Sequence, residues 1–308
     1  MRRIVFLGMD GGFSAAPLLA LLGSEFEVVG VVVPSPVGVI SAPVTRVLMP
    51  PSRPRRTLAV HGEASRSSTT TLAWAAGVPV LEVATLSHPA TQAALTGMRP
   101  DVLCVACFPS RVPQAVLALA PLGGLNLHPS LLPQYRGPEP LFWLFHDGLE
   151  HAGVTVHRMT ARIDSGSIVA QNAVSLPDGL TYQAAEDRCA EEGGRLLVAA
   201  LRRIAADPEA GQPQGGIGSS APNPRDSDFQ LTPEWPARRA FNFIRGMADW
   251  GEPPILAAQG RRYRIARARA FDDVGTQSER IRWEGREARV QCSPGILYLE
   301  IIGESDRE

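Results

Sequence analysis

The sequence predicts an α/β fold: a doubly wound, mostly parallel sheet followed by a small β-rich C-terminal domain. Three observations carry that expectation. Short apolar runs alternate with helix-period stretches through the first two-thirds of the chain. The segment from Asp207 to Asp228 is rich in Gly, Pro and Ser and has no apolar period, which reads as a linker. Beyond it, one helical stretch is followed by several short strand-like runs.

Taken in order, Arg3 to Gly8 is a buried strand, Ala15 to Leu22 a helix and Val28 to Val33 a Val-rich strand. From Pro34 to Arg56 the pattern breaks into a proline-rich stretch that also holds Arg46, Arg53, Arg55 and Arg56. This is an exposed, stiff excursion, either a plain surface loop or one that grips a substrate. Ser68 to Ala76 and Pro89 to Thr96 read as helices, Val102 to Ala106 as a buried strand, Pro113 to Ala120 as a helix and Gly124 to His128 as a strand. Ala152 to Met159 and Ser167 to Leu176 are strands, and Thr181 to Ala206 a long amphipathic helix. After the linker come a helix, Pro236 to Met247, and strands at Ile255 to Ala258, Arg262 to Ala268, Ala288 to Cys292 and Leu297 to Ile302. The expected division is a catalytic domain over 1–206, a linker over 207–228 and a small domain over 229–308.

Composition narrows the chemistry. A formal net charge of −1 gives no global attraction to nucleic acid. The chain has no lysine, which removes Schiff-base chemistry and a P-loop lysine. The short apolar run before Gly8 is a first strand rather than a signal peptide or anchor, so a cytoplasmic location is expected, with four reduced cysteines.

The densest stretch is LNLHPSLLPQYRGPEP, from Leu125 to Pro140. On a strand, residues i and i+2 share a face, so Asn126 and His128 can both meet one pocket. The strand's carboxyl end is where such sheets bind ligands. A neutral amide beside an imidazole suits acyl or formyl transfer: the amide holds the oxyanion while the imidazole moves a proton or gives a second hydrogen bond. Pro129, Pro133 and the Arg136-Gly137 turn make a rigid loop, in which Leu131 and Leu132 can line an apolar slot for a flat ring. Downstream, Asp164 sits in an Asp-Ser-Gly turn, where an Asx turn is the plain alternative to a catalytic carboxylate.

Together, LNLHPSLLPQYRGPEPLFW and AGVTVHRMTARIDSGSIVAQ resemble the formyltransferase family that uses 10-formyltetrahydrofolate, and more particularly methionyl-tRNA formyltransferase-like members. The family pattern is Asn-x-His, Ser-Leu-Leu-Pro-x-x-Arg-Gly, Gly-Val-Thr, then Asp-x-Gly, and all four occur here in order. The resemblance covers about residues 3–206. It implies a Rossmann-like catalytic domain of the formyltransferase type and a catalytic set of Asn126, His128 and Asp164. The first two hold the oxyanion; the third keeps His128 charged and oriented. It implies that Leu131, Leu132 and Pro133 belong to the folate pocket and that Arg136 and Gly137 fix the loop. The cosubstrate is 10-formyltetrahydrofolate, and no metal is implied. The C-terminal segment is similar to the small OB-like barrel that follows this domain in methionyl-tRNA formyltransferase and in some sugar-amine formyltransferases. The acceptor stays open between methionyl-tRNA and a small amine such as an amino-sugar nucleotide or a modified amino acid. A tRNA partner is therefore open as well, whereas DNA and membrane are not expected. A hydrolase using the same three residues and an inactive folate- or RNA-binding module are the alternatives.

Other signals are weaker. Cys104 to Cys107 is a CxxC, but on an apolar strand rather than a helix start. GMDGGF lacks the G-x-G-x-x-G dinucleotide signature. The five arginines between Arg261 and Arg269 form either a solvated face or an RNA-phosphate patch.

Overall fold

A computed structural model describes residues 2–36, 45–50, 68–251 and 253–304. Chain contacts divide it into two compact units. The first comprises Met1–Gln134, Gly153–Val174 and Asp187–Gly218; the second comprises Tyr135–Ala152, Ser175–Glu186 and Ser219–Glu308.

In chain order the elements begin with β1 (Arg3–Gly8), α1 (Gly12–Leu22), β2 (Glu27–Pro34), β3 (Thr45–Leu48), α2 (Thr69–Ala75), β4 (Val80–Val83) and α3 (Pro89–Met98). Next are β5 (Val102–Ala106), α4 (Gln114–Leu117), β6 (Gly124–His128), α5 (Pro140–His146), β7 (Gly153–Arg158), β8 (Ile168–Ala173) and α6 (Tyr182–Ala206). The remainder is β9 (Gln230–Leu231), α7 (Ala237–Gly246), β10 (Ile255–Ala258), β11 (Arg261–Asp272), β12 (Ile281–Glu284), β13 (Glu287–Gln291) and β14 (Ile296–Glu304).

The first unit is built on one eight-stranded sheet in the order β3-β4-β2-β1-β5-β6-β7-β8. The five strands β4-β2-β1-β5-β6 run parallel; β3 at one edge and β7 and β8 at the other are antiparallel additions. Parallel strands are covered on both faces, which explains why β1 and β5 are continuous apolar runs with Ile4 to Leu7 fully buried. The turn out of β1 is tied down by Ser14: its Oγ accepts from the Met9 amide at 2.9 Å and donates to the Ala106 carbonyl at 2.7 Å, fixing the start of α1 against the end of β5. At α2, Ser68 accepts from Thr71 N, and the Asp10 carboxylate accepts from Thr70 N at 3.0 Å.

Three elements go beyond the sequence reading. Part of the proline-rich excursion is a strand: Thr45–Leu48 pairs antiparallel with β4. Residues 37–44 and 51–56 of that excursion, and with them the substrate-gripping reading, lie outside the described residues. β4 itself is only four residues long. α5 starts at Pro140, whose fixed φ and missing N–H suit a first helical turn. The helix expected over Pro113 to Ala120 shrinks to a single turn, Gln114–Leu117.

The second unit holds a six-stranded sheet, order β12-β13-β14-β11-β10-β9, antiparallel except for β9 against β10. Among the described residues no pairing joins its end strands β12 and β9. The small β-rich domain of the expectation is thus present as a six-stranded, mostly antiparallel sheet, without a closing pair. This unit also reaches back before residue 207. Phe142 and Phe145 of α5 are buried with Phe243, Met247 and Leu231, and a Cβ on Gly246 of α7 would lie 2.4 Å from Phe145 Cδ1. The stretch read as a linker is pinned rather than free. Gln212 exchanges two backbone hydrogen bonds with Ile168 in the first unit, and Arg136 bonds to Ser219 and Ala221 in the second. Among the described residues, no helix is long and apolar enough to cross a membrane.

Candidate active site

Strand β6 shows why the Asn-x-His spacing matters. All of it is buried except the half-buried Asn126, and Leu127 points to the other face, toward α6. There Gly193 approaches so closely that a Cβ would lie 2.5 Å from Leu127 Cδ2. Asn126 and His128 therefore share the face turned away from Leu127. Across the antiparallel pairing, His157 stands opposite Asn126 and Thr155 opposite His128. The strand pair thus presents four polar side chains together.

Asp164 comes from the loop after β7. Its backbone is left-handed, at φ 47°, a conformation that Asp tolerates better than most residues. Gly166 allows the loop to close: a Cβ there would sit 1.8 Å from the Arg158 carbonyl oxygen. Gln214 donates to the carbonyls of both Asp164 and Gly166 at 2.8 Å, so the segment read as a linker also buttresses this turn.

The Asp164 side chain is 10% exposed and lies between several partners. One oxygen is 3.7 Å from His128 Nδ1. The other is 3.4 Å from Asn126 Nδ2 and 3.4 Å from His157 Nε2. His128 and His157 are 4% and 2% exposed, with their rings edge to face at 6.4 Å. A buried carboxylate needs such company, because an unpaired one is strongly disfavoured away from water. The contacts are long for hydrogen bonds, as is common at sites that tighten only around a reacting group.

The loop after β6 is held by a buried hydroxyl. Thr155 Oγ1 donates to the Ser130 carbonyl at 2.6 Å and accepts from Leu132 N at 3.2 Å and Gln171 Nε2 at 2.8 Å. Gln171 also donates to the Leu132 carbonyl at 2.9 Å. Leu131 packs over Gly153, where a Cβ would clash with it at 2.4 Å. Leu131 and Pro133 are half-buried, but Leu132 is 3% exposed and offers a ligand almost no surface; it anchors the loop instead. Arg136 and Gly137 belong to the second unit. Arg136 N donates to Ser219 O at 3.0 Å and Ala221 N to Arg136 O at 2.7 Å, and Gly137, at φ 131°, faces the Ala221 carbonyl.

Asn126, His128 and Asp164 are thus brought together, and Leu131 to Pro133 follow directly on β6. The sequence reading left out His157, Thr155, Gln171 and Gln214. The alternating run Val154-Thr155-Val156-His157 carried a faint signal for the first two, but only the β6–β7 register reveals what they face.

The formyl transferase family model matches residues 41–201. Methionyl-tRNA formyltransferase from Anaeromyxobacter dehalogenans (strain 2CP-1 / ATCC BAA-258) is 32% identical over 304 residues, covering 96% of this chain and 90% of that protein. Among solved structures, an N-formyltransferase from Helicobacter canadensis in complex with folinic acid and dTDP-3-aminofucose superposes with a TM-score of 0.67 at 15% identity, covering 99% of this chain and all of the other. Methionyl-tRNA formyltransferase from Clostridium thermocellum gives 0.55 at 12% identity over 98% of this chain and all of that one. At such identities the structural likeness speaks for the fold alone. Family model and sequence relatives together show that the chain belongs to the formyl transferase family, as a folate-dependent N-formyltransferase similar to the methionyl-tRNA enzymes.

Proposed function

We propose that Asn126, His128 and Asp164 move the formyl group of 10-formyltetrahydrofolate onto a primary amine. The observation that supports this most is the meeting of three unlike groups, distant in sequence, within 3.4–3.7 Å at the carboxyl end of a sheet strand. The donor set fits an acyl centre: an amide N–H and an imidazole for the oxyanion, and a carboxylate to orient the imidazole. As the amine nitrogen bonds to the formyl carbon, the carbonyl oxygen gains charge, which Asn126 and His128 stabilise. The bond from that carbon to the folate nitrogen then breaks. The amine gives up one proton and the folate nitrogen takes one, with His128 and Asp164 placed to carry it. Leu131, Pro133 and the loop backbone form the folate-side wall, Leu132 anchors it, and Arg136 and Gly137 fix the far end of the loop.

Each of the two acceptors has one observation in its favour. Relatives named for methionyl-tRNA cover 96% of the chain. Against a polyanionic acceptor, three of the five arginines of β11 are already matched: Arg261 to Glu304 at 2.6 Å, Arg267 to Glu300 at 2.7 Å and Arg269 to Glu287 and Glu300 at 3.0 Å. Phosphates would have to displace these carboxylates, so a small amine is the acceptor we favour. An acceptor screen with 10-formyltetrahydrofolate, read by tetrahydrofolate release, tests both. Release with an amino-sugar nucleotide but not with methionyl-tRNA is expected; the reverse, with salt-sensitive tRNA binding, would reassign the acceptor. Formate release without any acceptor would make the protein a hydrolase.

A further inference from the structure

The site holds a second imidazole that the motif pattern does not include. His157 Nδ1 lies 2.8 Å from the Arg158 carbonyl oxygen. A carbonyl only accepts, so Nδ1 carries a hydrogen, and in the neutral ring Nε2 presents a lone pair. That lone pair lies 3.1 Å from Asn126 Nδ2, and Nδ2 is also 3.4 Å from Asp164 Oδ1. Two acceptors thus face one end of the Asn126 side chain, and only the nitrogen end of an amide can answer both.

From this we infer that His157 is a positioning residue: its neutral Nε2 takes one Asn126 N–H, fixes which end of the amide faces the site, and leaves the second N–H for the substrate oxyanion. The inference rests on the reading of Asn126 as an oxyanion donor. The second N–H reaches Asp164 over a long 3.4 Å, a contact readily exchanged for a shorter one to an anionic oxygen. A ring protonated at Nε2 would instead turn that hydrogen toward Asp164 Oδ1, 3.4 Å away, and Asn126 would lose its acceptor on β7. The groups that face the ring are Asn126, Asp164, the Arg158 carbonyl and the edge of His128, while the Arg158 guanidinium is spent on the carbonyls of Pro208 and Ala210.

The test is a double-mutant cycle on the full chain, with folding checked by circular dichroism. H157F should lower kcat about tenfold or more and leave KM for 10-formyltetrahydrofolate within about twofold. H157Q, which restores an acceptor oxygen near the place of Nε2, should recover most of kcat. In an N126A background, H157F should add less than about twofold, because its action passes through Asn126. Full activity of H157F, failure of H157Q to outperform it, or a loss that multiplies onto N126A would each overturn the inference while leaving the reading of Asn126 intact. An N126A variant with unchanged kcat would instead overturn that reading, and the role of His157 with it. If H157F does not fold, H157L is the acceptor-free variant for the same comparison.

Discussion

Two regions of this molecule handle charge in opposite ways. At the end of β6, one nearly buried carboxylate is shared among two imidazoles and an amide, at 3.4–3.7 Å. On β11, cations and carboxylates pair at the surface at 2.6–3.0 Å. Short exposed pairs are already satisfied by the protein, and solvent and salt weaken what they contribute. The groups at β6 are unlike one another, an amide, two imidazoles and a carboxylate, whereas β11 repeats one kind of pair. The variety of groups gathered in a buried place is thus a better guide to chemistry than the number of charges in a region.

The sharpest way to break this comparison is to remove one group from each region. N126A or H128A should lower kcat/KM by ~10²–10³, about 2.7–4 kcal/mol of barrier. An unchanged rate would take catalysis away from β6. Next in size is G166A, whose Cβ cannot coexist with the Arg158 carbonyl at 1.8 Å. Displacing the Asp164 turn should lower kcat by up to about 100-fold, with the second unit's folding unaffected in hydrogen exchange. T155V should act mainly on stability. It strands the Leu132 amide in a buried place and leaves the Ser130 carbonyl without this donor, and urea unfolding should show a loss of about 1–3 kcal/mol. Smallest of all, R267A combined with R269A should leave turnover of a small amine acceptor and the urea midpoint almost unchanged. The Glu300 carboxyl they face is held below its ordinary range by hydrogen bonds from Arg269 and then Arg267. A depressed carboxyl contributes stability above its unfolded pKa and loses it as pH falls through its folded value. Any effect of the double variant should therefore be present at neutral pH and vanish in acid. Loss of small-amine turnover in this variant would mean that β11 contributes to the site.

Much of this was legible in the chain. The alternation of apolar runs set the parallel core, and the period of two in Leu125 to His128 placed Asn126 and His128 on one face before any coordinates. The turn signal around Asp164 was equally local. His157 and Thr155 escaped because their meaning comes from cross-strand register between β6 and β7, which no local pattern encodes. α5 was hidden among prolines, although Pro140 is itself a sound first helical residue. Asp207 to Asp228 has the composition of a free linker, but Gln212 and Gln214 find backbone partners that composition cannot announce. The number of strands in the second sheet was equally local, whereas closure depends on which edges meet, and no local pattern gives that.

The staple at Thr155 has a practical consequence for protein engineering. The backbone from Ser130 to Leu132 takes its shape from a hydroxyl on β7 and an amide on β8. Grafting that loop alone onto a homologous scaffold would transplant its letters without its posture. The smallest portable cassette is the loop together with Thr155 and Gln171.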